Sequence, residues 1–383
     1  MSGVGFLEKM LVDVVVEWIE VGQLMSPQRG RRLVKSQLEE VGTYAVYQNS
    51  MRPLGYYHES NTQAGACFVI VAGAAGEIGF SDSEFWAADD VYFFPESKVV
   101  NSKYLYHFLL SKRHEISSQV RRASIPRLSI DAIEKLEIPI PCPGNPKKSL
   151  EIQAEIVRIL DTFTELTAEL TAELTAELTA RKKQYSHYRD RLLSFEEGGV
   201  EWKKLGALVD INTGSKPSEI FEGATSFDYI NAGTSRSGYS VASNCAGDVV
   251  TTPSRGQGGI GYVGYQSKPF WLGPLCYKMQ SSDVNILINK YLFYFLQSRN
   301  EMLLGLKKEG GVPAINKSDL VQLEIPVPSL VEQKRIVAIL DKFDTLTNSL
   351  TEGLPREIEL RQKQYEYYRN LLLSFPKLEE VVE

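Results

Sequence analysis

Few residues in this chain combine the types and spacing that catalysis requires. Glu96 and Lys98 resemble part of a nuclease motif, and two aspartates precede them. The chain has neither a GxxxxGKS/T phosphate-binding loop nor the D/N-P-P-Y/F tetrapeptide of amino-methyltransferases. The run GQGGIG at Gly256–Gly261 lacks a surrounding βαβ unit and matches a nucleotide-binding loop only loosely. These residues predict a binding protein, with a nuclease using Glu96 and Lys98 as one alternative.

The length of 383 residues predicts two or three domains, and the cysteine usage fits a reducing cytoplasm. The four histidines show no metal-ligand spacing, and the four cysteines lie far apart without a CxxC motif. We therefore expect no metal site and no disulfide framework. Acidic residues interrupt the apolar start of the chain, which argues against a signal peptide. The sequence contains no run of about 18 apolar residues, so no membrane span is expected.

The net charge of −6 does not by itself indicate nucleic-acid binding. Its distribution is more informative, because glutamates crowd the predicted helices while basic residues cluster elsewhere. The basic clusters are Arg29, Arg31, Arg32 and Lys35, followed by Lys112, Arg113, Arg121, Arg122 and Arg127. Clusters of this kind are usually solvated surface charge, but phosphate contacts require the same residues.

The chain repeats itself internally. Residues 153–195 and 333–375 superpose without a gap at an offset of 180. Upstream, KYLYHFLLS at 103–111 matches KYLFYFLQS at 290–298, and LEIPIP matches LEIPVP, both at an offset of 187. The helical segments agree more closely than the globular segments, which match only at scattered positions. Duplicated units that share a scaffold but differ elsewhere should recognise two different targets.

The repeat predicts an α+β protein with the order globular, helix, globular, helix. In each globular segment, glycine-punctuated β-rich runs precede the short KYL helix, and a proline-rich hinge ends the segment. The predicted bounds are 1–150 for the first domain, 151–195 for the first helical spacer, 196–330 for the second domain and 331–383 for the second spacer and tail.

The two spacers read as long helices. Ser149 and Ser329 follow proline and precede an apolar stripe with helical spacing, as N-caps do. A helix of this length forms a rod on the order of 65 Å. Because one rod cannot bury its stripe alone, we expect the two rods to pack against each other.

Within the first rod the sequence TAEL occurs three times in tandem, from Thr167 to Leu178. A leucine every four residues drifts about 40° around the helix per unit. Tandem identity suggests a segment whose length can change by whole units. In the second rod Gly353 and Pro355 predict a kink or break near Leu354.

These features resemble one family. ILDxF runs occur at Ile159–Phe163 and Ile339–Phe343, and KQY..YR runs occur at Lys183–Arg189 and Lys363–Arg369. Together with two variable domains and the TAEL array, they resemble the DNA-specificity subunit of type I restriction-modification enzymes. The TAEL array resembles the subgroup called type IC. The resemblance spans nearly the whole chain and is weakest over residues 1–65.

The resemblance implies a non-catalytic protein that binds double-stranded DNA. Each domain would be a target recognition domain that reads one half of an asymmetric, interrupted sequence. The helices would form an antiparallel coiled coil with pseudo-two-fold symmetry, set the half-site spacing and dock two methylation subunits. This chain would hold no cofactor. S-adenosylmethionine would bind the methylation subunits, while ATP and Mg would serve partner subunits, among them the restriction and translocation subunits.

Base recognition needs polar side chains on loops that a rigid framework positions. Glycine-rich loops in the second domain, the YQNSMRP loop in the first and the basic segment that follows supply such residues. The candidate DNA contacts are Gln48, Asn49, Arg52, Arg121, Arg122, Arg127, Lys216, Asn231, Thr234, Ser254, Arg255 and Gln257. The candidate spacer and partner contacts are Leu166, Leu170, Leu174, Leu178, Tyr185, Tyr188, Arg189, Leu346, Leu350, Tyr365, Tyr368 and Arg369.

A coiled-coil scaffold that joins protein partners without reading DNA is the other alternative. The Arg/Gly/Gln loops disfavour it, and a DNA shift assay with the methylation subunits present would separate the two.

Overall fold

A computed structural model describes residues 14–196, 199–224, 226–256, 258–308, 310–349 and 352–375. The chain divides into two compact units. The first combines Met1–Glu173 with Ile358–Glu383, and the second is Leu174–Glu357. Each unit therefore holds one sheet-rich domain together with part of each predicted rod.

The first domain contains three small sheets. Its strands are β1 (Val16–Glu20), β2 (Gln28–Arg29), β3 (Tyr44–Tyr47), β4 (Gly55–Tyr57), β5 (Ala66–Ile70), β6 (Ile78–Ser81), β7 (Phe85–Ala87), β8 (Val91–Phe93) and β9 (Glu137–Pro141). The sheet orders are β1-β9, β2-β8-β5-β6 and β4-β3-β7. Only the β3–β7 pairing is parallel among these described strands.

The helices of this unit support the sheets and begin the first rod. They are α1 (Val21–Leu24), α2 (Ser102–Ser111), α3 (Arg113–Ser118), α4 (Asp131–Glu134) and α5 (Pro146–Leu192), with a 3-10 turn at Lys35–Gln37. The Asn101 side chain caps α2 by accepting from the backbone N–H groups of Lys103 and Tyr104. Tyr104 is fully buried, and its hydroxyl donates to the Pro139 carbonyl at 2.8 Å.

The second domain repeats this arrangement. Its strands are β10 (Glu201–Lys204), β11 (Val209–Thr213), β12 (Phe227–Ile230), β13 (Gly238–Ser240), β14 (Val249–Pro253), β15 (Gly264–Gln266), β16 (Trp271–Leu272), β17 (Cys276–Ser281) and β18 (Glu324–Val327). The orders β10-β18, β11-β17-β14-β15 and β13-β12-β16 match the first domain strand for strand. The hydroxyl of Tyr291, the counterpart of Tyr104, donates to the Pro326 carbonyl at 3.0 Å. The predicted α+β class and internal repeat are confirmed.

The helices of the second domain also follow the first. They are α6 (Asn289–Ser298), α7 (Asn300–Gly305), α8 (Lys317–Leu320), α9 (Leu330–Asn348) and α10 (Gly353–Leu373), with a 3-10 turn at Leu205–Ala207. We call α5 the first rod, and α9 with α10 the second rod. Within the described residues, no helix is both long enough and apolar enough to cross a membrane.

One predicted N-cap is confirmed and the other is wrong. The Ser329 side chain accepts from the Glu332 N–H and caps α9. The first rod begins at Pro146, so Ser149 lies inside it and is fully buried. The helix starts a turn earlier because proline suits the first helical position, and because the Asn145 side chain accepts from the Lys148 N–H at 3.2 Å.

The predicted break in the second rod is confirmed. Helix α9 ends at Asn348, and α10 starts at Gly353 with φ of +78°. A Cβ at Gly353 would lie 2.5 Å from the Thr345 carbonyl oxygen, so only glycine fits. Pro355 then stands in the first turn of α10, where a missing N–H costs little.

Candidate nucleic-acid interface and helical rods

Three predicted contact loops of the second domain meet at one end of its sheets. The loop after β11 is fixed by the Ser215 N–H, which donates to the Leu272 carbonyl at 3.1 Å. The loops after β12 and β14 both bond to Leu275. Its N–H donates to the Asn231 side chain at 2.9 Å, and its carbonyl accepts from the Ser254 N–H at 2.9 Å. The strand ends thus gather residues that lie far apart in sequence.

The candidates in these loops differ in how much of them faces solvent. Lys216, Thr234 and Arg255 are exposed and can reach a ligand. Ser254 is buried at 8% exposure, and the half-buried Asn231 uses its side-chain oxygen to hold Leu275. Both therefore position the loops. Gln257 lies outside the described residues, and its role stays a prediction.

The structure adds Arg236, which the sequence candidates omit. Its guanidinium carbon lies 4.6 Å from the centre of the Tyr239 ring, and its Nη1 lies 3.4 Å from an oxygen of Asp228. Beside it a cleft of about 340 Å³ is lined by polar groups that include Thr234 and Gln266. An arginine flanked by serines in a glycine loop was the available signal, but only the fold shows what surrounds it.

The first domain also brings its candidates together. Gln48, Asn49 and Arg52 occupy the turn after β3. The Asn49 carbonyl accepts from the Ala74 N–H at 2.9 Å, and the Gly73 N–H donates to the Pro126 carbonyl at 3.1 Å. The backbone N–H groups of Gly73 and Ala74 therefore link the turn after β3 to the basic segment.

The basic segment is exposed and available. Arg121 and Arg127 pair through their backbones, with N–O distances of 2.9 and 3.1 Å, and Arg122 follows the first of them. All three side chains are exposed, and no carboxylate among the described residues forms an ion pair with them. Free guanidinium groups on a fixed loop suit phosphate binding.

Arg32 is a second residue that the sequence candidates omit. The Trp86 indole donates to the Arg31 carbonyl at 2.8 Å, as the Trp271 indole donates to the Ser215 carbonyl at 2.7 Å. Arg32 therefore occupies the place in the first domain that Lys216 occupies in the second. The basic cluster around Arg29 signalled it, but the correspondence needed the fold.

Rod segments are in contact in each unit, and those of the first unit run antiparallel. In the first unit, Phe163 lies against Tyr368 with ring centroids 5.8 Å apart, and the Thr164 hydroxyl lies 2.9 Å from that of Tyr365. The later residue of α5 meets the earlier residue of α10, so the segments run in opposite directions. Arg369 lies over the Tyr365 ring at 5.5 Å.

The second unit contains the same contacts with the rods exchanged. Phe343 of α9 lies between Tyr185 and Tyr188 of α5, with ring centroids 6.2 and 5.7 Å away. Arg189 lies over the Tyr185 ring at 5.7 Å. The aromatic candidates of the KQY..YR runs therefore pair the rods in both units, while each arginine lies over a tyrosine of its own helix.

The leucines of the TAEL array are not equally buried. Leu170, Leu174 and Leu178 are half-buried, as is Leu346, whereas Leu166 is 55% exposed. A four-residue spacing drifts around the helix, so it cannot keep every leucine on one face. Leu350 lies outside the described residues.

A carboxylate of the first rod anchors the first domain. Asp161 lies 2.9 Å from the Nε2 atom of His107 and 2.9 Å from the Nζ atom of Lys103, both on α2. His107 is 1% exposed, and its Nδ1 atom has no hydrogen-bond partner among the described residues. Burial lowers the pKa of His107 below its usual value, while the hydrogen bond with Asp161 opposes that shift.

The second unit has the same anchor with a different ring. The Tyr294 hydroxyl donates to Asp341 of the second rod at 2.6 Å, and Lys290 lies 2.8 Å from that carboxylate. Burial, followed by the hydrogen bond to Asp341, raises the pKa of Tyr294. Only the first of these two anchors therefore contains a histidine, the residue type whose ordinary pKa lies near neutral pH.

A glutamine near the start of each rod bonds that rod to the backbone of the domain before it. Gln153 accepts from the Asn101 N–H at 2.8 Å and donates to the Val99 carbonyl at 2.9 Å. The buried Gln333 makes the equivalent pair of backbone bonds in the second unit. Each domain is thus bonded, as well as packed, to the rod that follows it.

The residues of the nuclease alternative, Glu96 and Lys98, are exposed in the segment that follows β8. Across the described part of the chain, no group of three or more His, Cys, Asp or Glu residues is placed to hold a metal ion. All four cysteines are free.

Comparisons with known proteins agree with this architecture. The family model described as "Type I restriction modification DNA specificity domain" matches residues 14–180 and again 197–360. The chain is 39% identical to the type I restriction enzyme EcoR124I/EcoR124II specificity subunit of Escherichia coli, with all of both chains covered. It is 32% identical to a putative type I restriction enzyme specificity subunit of Haemophilus influenzae, over 97% of this chain and 98% of that one.

Solved structures show the same fold at low identity. A type I S subunit from M. genitalium has a TM-score of 0.55 at 19% identity, covering 95% of this chain and 98% of that chain. The HsdS subunit from Thermoanaerobacter tengcongensis has a TM-score of 0.51 at 17% identity, covering 94% and 95%. The family is established by the family model, which matches both halves of the chain. The chain therefore belongs to the family of type I restriction-modification DNA specificity subunits.

Proposed function

We propose that this chain reads an asymmetric, interrupted DNA sequence for a type I restriction-modification complex, with each domain binding one half-site. The carrying observation is that both domains repeat one framework and gather different side chains at the same end of it. Arg52, Arg121 and Arg127 stand in the first domain, and Lys216 and Arg255 in the second. Two frameworks of one kind with unlike surfaces suit a target with unlike halves.

The chain recognises the target sequence, and its partner subunits carry out the catalysis. Two methylation subunits dock on the rods, bind S-adenosylmethionine and methylate adenine. Restriction subunits add ATP- and Mg-dependent translocation and cleavage. The complex works in the cytoplasm, where the cell's DNA is. The nuclease alternative is set aside, because the relatives are specificity subunits and Glu96 and Lys98 stand in no metal-binding group.

The charge of the chain supports this division of labour. DNA affinity comes largely from neutralised phosphates, yet the chain carries a net charge of −6. An acidic reader binds DNA weakly by itself and needs basic partners that close around the duplex. A coiled-coil scaffold without DNA recognition would not need the exposed guanidinium groups of the first domain.

The rods set the distance between half-sites. One TAEL unit adds about 6 Å of helix and about 40° of rotation. One base pair adds about 3.4 Å along the duplex and roughly 34–36° of turn. The rotations nearly agree, so a whole unit can be added while each domain keeps its face toward the DNA.

Modified-base sequencing tests the proposal. The chain is expressed with its methylation partner in cells that lack other adenine methylation, and methylated adenines are mapped across the genome. The expected result is one motif with two specified halves and a fixed unspecified gap. Methylation without such a motif, or a motif that persists when this chain is replaced by an unrelated specificity subunit, would refute it.

A further inference from the structure

A short hairpin in the first domain ends in an exposed aliphatic residue. Residues 121–127 form this hairpin, which we call the first tip hairpin, and the backbones of Arg121 and Arg127 close it. Ile125 lies in the loop of this hairpin with 55% of its surface exposed, and Pro126 follows. A single exposed isoleucine is ordinary on a protein surface and carries no weight alone.

The second domain contains the same device. Its tip hairpin is residues 308–314, of which 309 lies outside the described residues, and Lys308 and Ala314 close it with N–O distances of 2.9 and 3.3 Å. Val312 stands where Ile125 stands, is also 55% exposed, and is also followed by a proline, Pro313. The same exposed aliphatic-proline pair therefore recurs in two domains whose other loops differ.

Both hairpins are tied to the candidate DNA-contacting loops. The Gly73 N–H donates to the Pro126 carbonyl at 3.1 Å, and the Gly256 N–H donates to the Pro313 carbonyl at 3.0 Å. Gly73 has φ of +79°, and a Cβ there would lie 2.7 Å from the Asn49 carbonyl oxygen. The tips are thus held rigidly beside the turn after β3 and the loop that contains Arg255.

The charge around the tips indicates what they meet. In the first hairpin three exposed arginines flank Ile125, as described above. In the second, Lys308 flanks Val312 and lies 2.8 Å from Asp319. At the first tip, an aliphatic side chain flanked by cations suits a polyanion with an apolar interior, whereas at the second tip the flanking Lys308 is paired with Asp319. Stacked base pairs inside a phosphate backbone have that character, and a protein surface of ordinary composition does not.

We propose that Ile125 and Val312 are wedges, each of which inserts between stacked base pairs of the half-site that its domain binds. Apolar side chains, including isoleucine and proline, unstack base steps in this way and bend the duplex. The proposal rests on the proposed function, since it requires each domain to lie on DNA. It adds a source of specificity that direct hydrogen bonding does not supply, because base steps differ in how readily they unstack.

The test uses the complete complex of this chain with its methylation subunits. Target DNA carries 2-aminopurine at successive positions of each half-site, except at the adenines that become methylated. The wild-type complex should raise the fluorescence at one step in each half-site, since unstacking relieves quenching. Ile125→Ala should abolish the rise in one half-site only, and Val312→Ala in the other only. Val312→Ala should weaken binding by about 15-fold and Ile125→Ala by about 50-fold, the effects of losing two and three buried methyl or methylene groups.

Matched controls exist in each domain. Val41 precedes β3 and Val284 follows β17, outside both hairpins, and they are 88% and 61% exposed. Val41→Ala and Val284→Ala should leave both signals unchanged. Ile125→Leu keeps the bulk of the wedge and should keep the signal, which separates loss of the wedge from damage to the hairpin.

Three outcomes would overturn the wedges. The first is a fluorescence rise that persists in both alanine variants. The second is wild-type binding without any rise outside the methylated adenines. The third is loss of the methylation subunits from the alanine variants, which would make the tips protein contacts. A failure of the proposed function looks different, because the wild-type complex would then yield no bipartite methylation motif at all.

Discussion

Tyr188 stacks on Phe343, with ring centroids 5.7 Å apart and an interplanar angle of 25°. The internal repeat turns this pair into Tyr368 and Phe163, which are 5.8 Å apart at 37°. One contact, used twice with the rods exchanged, therefore joins the start of each rod to the end of the other. Each domain is bonded to the rod beside that junction, so the pairing of the rods helps to position the candidate DNA-contacting loops.

Removing the aromatic contact should destabilise the second unit. Phe343→Ala loses a ring that touches both Tyr185 and Tyr188 and is expected to lower the free energy of unfolding by about 2 kcal/mol. Denaturant unfolding followed by circular dichroism measures it. Val331 lies on the same helix with 79% of its surface exposed, so Val331→Ala should change the free energy of unfolding little. Equal stability of the two variants would contradict the role assigned to Phe343.

The first anchor should make the first unit sensitive to acid. Burial holds the pKa of His107 below its ordinary value of 6.5, so the unfolded chain takes up a proton first as the pH falls. The stability that this histidine contributes is present above its ordinary pKa and is lost as the pH falls below that value. His107→Tyr copies the second anchor and should reduce the loss of stability between about pH 7.5 and about pH 5.5.

An exposed histidine provides the comparison for that experiment. His114 lies on α3, the helix that follows α2 in the first domain, and its side chain is exposed. His114→Tyr should keep the full acid sensitivity of the wild-type chain. If His107→Tyr and the wild-type chain lose the same stability on acidification, the buried histidine is not the sensor.

Deleting one TAEL unit should shorten the gap in the DNA target by one base pair. Removal of Thr171–Leu174 subtracts about 6 Å and about 40° from the rod and leaves both domains intact. Mapping methylated adenines should show unchanged half-sites. Deletion of Thr171 and Ala172 alone turns the helix by about 200° and should abolish methylation. An altered half-site, or an unaltered gap in an active enzyme, would end the ruler hypothesis.

Two arginines should have separable effects on DNA binding. Arg255→Ala should cost about 1–3 kcal/mol and relax specificity at one position of one half-site, as loss of a base contact does. Arg121→Ala should weaken binding to all sequences and reduce the dependence on salt by about one phosphate contact. Arg158, which pairs with Glu155 on the first rod, supplies a control. Identical salt slopes for wild type and Arg121→Ala would contradict a phosphate contact.

The sequence predicted the architecture because the two halves of the chain can be compared with each other. Two copies of one pattern reveal which positions are framework, and the repeated aromatic positions of the rods lie in contact between them. The first N-cap was predicted wrongly because the sequence at Ser149 and Ser329 looks alike locally. Pro146 and Asn145, a turn earlier, decide where the first rod begins.

The loops were harder to interpret. A polar residue in a glycine loop can face solvent or satisfy a backbone group, and the local sequence is the same in both cases. Asn231 and Ser254 hold the loops, whereas Arg32 and Arg236 face outward and were not among the candidates. The burial of Leu166 could not be predicted either, because it depends on the position of the partner helix.

The break between Asn348 and Gly353 gives the two rods unequal evolutionary freedom. The unbroken helix can gain or lose a tandem unit without disturbing any cap, since every residue there obeys the same hydrogen-bonding rule. After the break, Gly353 adopts a left-handed conformation and Pro355 is tolerated only in the first helical turn, so a change of length there would disturb both. Length polymorphism among natural forms of this chain should therefore occur between Thr167 and Leu178 and spare the second rod, so that a lineage acquires a new target while both recognition domains stay unchanged.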